Sequence, residues 1–213
     1  MTEIKLTIAS GIYLVIDPAM DEKVLLNKLD NILNAKIVAV QVWDNFRKNQ
    51  LIEKLLHKIC ELCSSNNIPV LINNKWEYLM NTSINGVHFD HIPENFATIK
   101  AKVNKPFISG LTCNNDLAQV HWAAANQMDY ISFCSMFPST TATSCELVNF
   151  ETVREAKRIF SKPVFLAGGI KPQNIHKLNV LNYNGIAVVS GIMNAENPIK
   201  AIKEYYENIT IKE

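Results

Sequence analysis

Two short apolar runs near the C-terminus each end in glycine. Val164 to Ala167 leads into Gly168-Gly169, and Ile186 to Val189 leads into Ser190-Gly191. A helical stretch is read after each. Glycine after a strand lets the backbone approach a ligand closely. The N–H groups of a helix start are unpaired and can be aimed at an anion. The chemistry these turns suggest is recognition of a phosphate, through Gly168, Gly169, Val189 and Ser190. Ordinary strand-to-helix turns, with glycine for steric reasons, are the alternative. Other polar residues recur at the ends of apolar runs: Asp17, Gln41, Trp43, Asn73, Asn74, His88, Asp90, Thr112, Ser135, Ser139 and Thr141. The set is polar but mostly uncharged. It holds no Ser-His-Asp set, no metal cluster and no redox fingerprint. For any one member, a solvated loop or a strand-end hydrogen bond stands beside a functional role, and His88 reads first as packing.

The elements that must position these residues alternate. Apolar runs of buried-strand length are read at Gly11–Ile16, Ile37–Trp43, Val70–Ile72, Gly86–Phe89, Phe107–Leu111, Tyr130–Cys134, Val164–Ala167 and Ile186–Val189. Between them lie helical stripes, such as Asp21–Leu33 with Val24, Leu25, Leu29, Ile32 and Leu33, and Leu51–Cys63 with Leu55, Leu56, Ile59 and Leu62. Short helical pieces follow Asn74 and Pro93. Asn114-Asn115-Asp116 supplies a cap before Leu117–Asn126. Further helices are read at Glu151–Phe160 and Pro198–Tyr206. Eight strand–helix units in 213 residues predict a TIM (β/α)8 barrel, one domain over 1–213. A doubly wound open sheet is the alternative, because counting elements cannot see closure. In a barrel the tandem glycine turns fall after strands seven and eight, the usual phosphate position, and the active site lies at the C-terminal strand ends.

Composition excludes several classes. Hydrophobic residues are 48% and charged residues 19%, a globular balance. A net charge of +1 provides no field for nucleic acid or an acidic membrane. No apolar run approaches the ~20 residues of a membrane span, and the N-terminus lacks a signal-peptide pattern. A cytoplasmic location is expected. Cys60, Cys63, Cys113, Cys134 and Cys145 are an odd, scattered set, read as free thiols. Cys60 and Cys63 form a C-x-x-C inside an amphipathic helical run, which favours core packing over redox or zinc chemistry.

Taken in order, Gly11-Ile-Tyr-Leu-Val-Ile-Asp-Pro18, Val40-Gln41, Leu71-Ile-Asn73, Gly86-Val-His88, Asp129-Tyr-Ile131, Phe137-Pro138, Ala167-Gly-Gly-Ile170 and Ile186-Ala-Val-Val-Ser190 resemble thiamine phosphate synthase. The resemblance implies a TIM barrel. It also implies a transferase reaction joining aminopyrimidine-methyl pyrophosphate to thiazole phosphate, with release of pyrophosphate held by magnesium. It implies a homodimer as well. Carried onto this chain, it puts the small phosphorylated ligand against Gly168, Gly169, Val189, Ser190, Ser139 and Thr141, and the pyrimidine and pyrophosphate beside Gln41, Asn73 and Thr112.

Departures from the family pattern concern the pyrophosphate. Where the family carries Gln-x-Arg-x-Lys, this chain has Gln41-Val-Trp43-Asp-Asn45. The family's Asn-Asp after strand three is Asn73-Asn74. Its second magnesium-binding aspartate has no residue cleanly in register within His88-Phe-Asp90-His-Ile-Pro93, so Asp90 and Asn74 are the metal candidates. The loop Pro-Thr-x-Thr-Lys reads Pro138-Ser-Thr-Thr141-Ala142. Asp90, Lys75 and Arg47 would compensate if they point inward. Two further readings follow: a non-catalytic binder of thiazole phosphate or thiamine phosphate, and a thiazole tautomerase-like isomerase. The tautomerase group places its histidine just after strand six, where Ser135 stands here.

Overall fold

A computed structural model describes residues 7–138 and 146–211. Eight parallel strands close into a barrel in chain order. They are β1 Gly11–Ile16, β2 Ile37–Val42, β3 Val70–Asn73, β4 Gly86–Phe89, β5 Ile108–Cys113, β6 Tyr130–Cys134, β7 Val164–Ala167 and β8 Gly185–Val188. Closure is direct: β1 pairs with β2 (Leu14 opposite Val40) and with β8 (Leu14 opposite Val188). The open-sheet alternative is thereby set aside.

The outer ring comprises α1 Glu22–Ile32, α2 Ile52–Ser64, α3 Tyr78–Asn81, α4 Phe96–Val103, α5 Leu117–Ala125, α6 Phe150–Ile159, α7 Ser190–Met193 and α8 Pro198–Asn208. Side-chain caps fix several starts. Asp21 accepts from the Val24 N–H, Asp116 from Ala118 and Asn197 from Lys200. The seventh unit differs from expectation. After β7 the chain runs as a loop and then a 3₁₀ helix, Ile175–Val180. No helix therefore begins at Gly169. The short α7 alone starts at a strand end, directly after Val189.

Strand alternation makes two cores. Ile12, Leu14 and Ile16 of β1, Val40 and Val42 of β2, and Leu166 of β7 join the helices in one large cluster. Tyr13, Ala39, Leu71, Ile108, Tyr130 and Phe165 form a second cluster inside the barrel. Tyr13, Tyr130 and Phe165 pack as a mutual trio with ring centroids 5.5 to 5.7 Å apart. Glycine makes room for them. A Cβ on Gly110 would lie 2.0 Å from the Tyr130 ring, and one on Gly185 would lie 2.6 Å from the Phe165 ring. The aromatic trio floors the barrel, and the polar strand ends stand above it.

Candidate active site

The next inward positions along the strands are polar: Gln41 on β2, Asn73 on β3, His88 on β4, Thr112 on β5 and Ser132 on β6. All but Thr112 are buried. They meet in one hydrogen-bonded chain. The Tyr13 hydroxyl donates to Gln41 Oε1 at 2.8 Å and lies 2.8 Å from the Tyr130 hydroxyl. Gln41 Nε2 donates to Asn73 Oδ1, and Asn73 Nδ2 donates to Asp90 Oδ2 at 2.9 Å. On the other side, His88 Nδ1 lies 2.9 Å from the Tyr130 hydroxyl, and His88 Nε2 lies 2.8 Å from Thr112 Oγ1. Ser132 Oγ closes the row 3.4 Å from Thr112. Burial pushes the His88 imidazole down to about 4, opposed in part by the Asp90 charge. His88 is therefore neutral near pH 7. Burial pushes the Tyr13 phenol up and holds the Tyr130 phenol well above its usual range, so both remain protonated donors.

Asn74 sits at a left-handed turn after β3, φ 55°, a conformation asparagine tolerates. The turn aims its amide at the next strand end. Asn74 Oδ1 accepts from the Asp90 N–H at 3.0 Å. Asn74 Nδ2 donates to Asp90 Oδ2 at 2.9 Å and to Asp44 Oδ2 at 3.1 Å. This geometry does not fit a resident magnesium ion. Amide hydrogens of Asn73 and Asn74 both point at Asp90 Oδ2, and the Asn74 oxygen accepts from the Asp90 N–H. Among the described residues, no three His, Cys, Asp or Glu side chains gather as a metal set. Asp90 and Asn74, the metal candidates of the sequence, are hydrogen-bond partners of each other here.

Across the mouth, Asp17, Ala19, Met20, Trp43, Val189, Ser190, Met193 and Asn194 line a cavity of about 270 Å³. Asn45 Nδ2 donates to both Asp17 oxygens, at 3.1 and 3.2 Å. The Arg47 guanidinium donates to the Ala19 carbonyl, and Lys75 is exposed without an ion pair among the described residues. Neither of these cations reaches the buried polar row.

Gly168 and Gly169 have φ values of 84° and 65°, which favour glycine. What approaches them is protein. A Cβ on Gly168 would lie 2.1 Å from Ser135 Oγ, and one on Gly169 would lie 2.5 Å from the Phe137 and Pro138 carbonyl oxygens. That crowding requires glycine at both positions, whatever meets their N–H groups. Their N–H groups, with those of Ser190 and Gly191, find no partner among the described residues. Ser135, by contrast, is buried and donates to the Phe137 carbonyl at 3.1 Å. Ser139, Thr141 and Ala142 lie outside the described residues.

Cys60 and Cys63 face the core of α2, where burial pushes both thiols up to about 12. Sequence reading missed Tyr13, Tyr130, Ser132 and Asp44. The available signal was a tyrosine inside an otherwise aliphatic strand, since a buried phenol needs a partner.

Comparison with known proteins follows the same outline. A family model described as thiamine monophosphate synthase matches residues 12–192. A thiamine-phosphate synthase of Xylella fastidiosa strain 9a5c is 28% identical over 201 residues, covering 94% of this chain and 85% of that protein. Thiamine-phosphate synthase 1 of Aquifex aeolicus is 30% identical over 203 residues, covering 92% and 93%. The solved thiamine phosphate pyrophosphorylase of Pyrococcus furiosus superposes with a TM-score of 0.78 at 18% identity, over 92% of this chain and 94% of that one.

Proposed function

The chain belongs to the thiamine monophosphate synthase family, and from that premise we propose that it joins an aminopyrimidine-methyl pyrophosphate to a thiazole phosphate, slowly, at the C-terminal mouth of the barrel. The observation that carries this reading is the pairing, at one mouth, of unpartnered N–H groups after β7 and β8 with a neutral polar row on β2 to β5. The thiazole phosphate sits against the N–H groups of Gly168, Gly169, Ser190 and Gly191, with Val189 beside it; Ser139 and Thr141, which the family resemblance assigns to the same phosphate, lie outside the described residues. Gln41, Asn73 and Thr112 face the pyrimidine. A leaving pyrophosphate needs positive charge where its own charge grows. Trp43, Asn45 and Ala142 stand where the family carries cations, and loss of one such donor costs about 3 kcal/mol, a hundredfold or more in rate.

The test is production of thiamine phosphate from the two substrates, followed by mass spectrometry with and without added magnesium. Slow turnover above a no-enzyme blank supports the proposal, and none refutes it. A binding-only role is the second reading, favoured by the Asn74 amide lying where the family places a carboxylate. Calorimetry separates the two: thiazole phosphate that binds in the presence of a chelator, without turnover, selects the carrier. A tautomerase role is disfavoured because the Ser135 hydroxyl is spent on the Phe137 carbonyl. We further propose a homodimer, which a single ~24 kDa species in light scattering would exclude. Among the described residues, no helix is long and apolar enough to cross a membrane.

A further inference from the structure

The hydrogen-bonded row inside the barrel has a direction, and one charge sets it. An ionised carboxylate only accepts. Asn73 must therefore present its Nδ2 to Asp90, which turns its Oδ1 toward Gln41. Gln41 must then donate from Nε2, leaving Oε1 for Tyr13. The Tyr13 hydrogen is committed to Gln41, so at its 2.8 Å contact with Tyr130 it accepts. Tyr130, having donated to Tyr13, accepts in turn from His88 Nδ1. The neutral His88 ring carries its proton on Nδ1, and Nε2 accepts from Thr112. With its hydrogen spent, Thr112 accepts from Ser132.

The opposite direction fails at one end. A proton on His88 Nε2 would leave Nδ1 accepting from Tyr130 and Tyr130 accepting from Tyr13. Gln41 and Asn73 would then both have to flip, and the Asn73 oxygen would face the Asp90 oxygen at 2.9 Å. Two acceptors in contact in a buried site are strongly unfavourable unless Asp90 takes a proton.

We propose that Tyr13, sealed beneath the mouth at 2% exposure, is a positioning residue: it relays the polarity set by Asp90 to His88, fixing the Nδ1–H tautomer and leaving Thr112 only lone pairs to offer the pocket. The β5 wall then receives a ligand N–H and rejects a ligand carbonyl at that point. Tyr13 acts through Tyr130 and His88 and lies below the row that faces the mouth. The row is complete without a ligand.

The test is the tautomer itself. The full chain is labelled with 15N-histidine, and long-range proton–nitrogen correlations are recorded at pH 7.5 without ligand. A His88→Gln variant identifies the His88 signals among the five histidines. The native chain is expected to show Nδ1–H. Tyr13→Phe keeps the ring that packs on Tyr130 and Phe165 but removes the relay. The Tyr130 hydrogen then has only His88 Nδ1 to reach, so the ring should switch to Nε2–H. Gln41→Met removes the acceptor for Tyr13 and should give the same switch, which keeps the test open if Tyr13→Phe does not fold. A native Nε2–H ring overturns the proposal. So does either folded variant that retains Nδ1–H.

Discussion

Acid should weaken this fold through His88, by an amount the structure sets. His88 is 5% exposed and holds neighbours on three strands: Tyr130 on β6, Thr112 on β5 and, through its β4 turn, the Asp90 charge. Burial, the larger cause, lowers its folded value from 6.5 to about 4, against the pull of Asp90. On acidification the unfolded chain therefore takes the proton first. Stability held by the neutral ring is complete above about 6.5 and is lost as pH falls toward 4. Between pH 7.5 and 4.5 that lowering gives a loss of about 2–3 kcal/mol from this group alone. Carboxylates titrate in the same window, so the measurement is a difference. Urea unfolding of the native chain and of His88→Gln is compared at both pH values. The variant is expected to start less stable, because Tyr130 and Thr112 lose a partner, yet to lose about 2–3 kcal/mol less on acidification. Equal losses in the two chains would refute the account of His88 as a buried neutral group.

Other outcomes follow from packing and charge. Gly169→Val should destabilise the fold by about 2 kcal/mol or more, because its Cβ meets the Phe137 and Pro138 carbonyls at a left-handed φ. It should also abolish phosphate binding. Calorimetry with thiazole phosphate and a thermal melt read both effects, and a stable variant that binds normally counts against the assignment. Cys60, Cys63 and Cys113, with thiols pushed up to about 12 by burial, should resist a thiol reagent at pH 8 until the chain unfolds. Fast labelling of any of them in the native chain contradicts their place in the core. Restoring charge with Trp43→Arg, Asn45→Lys, Asn74→Asp and Ala142→Lys together should raise thiamine phosphate formation roughly tenfold or more. An unchanged rate would show that the missing cations are not what limits turnover.

The repeat of apolar runs and helical stripes in the sequence determined the eight units, because buried parallel strands and amphipathic helices carry different periods. Asp116 before Leu117 and the glycines after Ala167 marked boundaries for equally local reasons. The polar residues at strand ends named Gln41, Asn73, His88 and Thr112 as members of the mouth, since strand ends in a barrel share one rim. Four matters lay beyond the sequence. Closure depends on β1 meeting β8, some 170 residues away, and no local pattern encodes that pairing. The 3₁₀ helix after β7 follows from tertiary packing of Ile175 and Leu178, which are buried like helical core residues but wound more tightly. The sequence marked Gly168 and Gly169 as a close-approach turn, but that Ser135, Phe137 and Pro138 are the protein groups crowding their Cα positions is a tertiary fact. The polarity of the row from Asp90 to Ser132 needed every partner in place at once. A hydrogen bond's direction is set by the groups on both sides of it, and here those groups come from six different strands, or the turns that follow them, brought together only by the closed barrel.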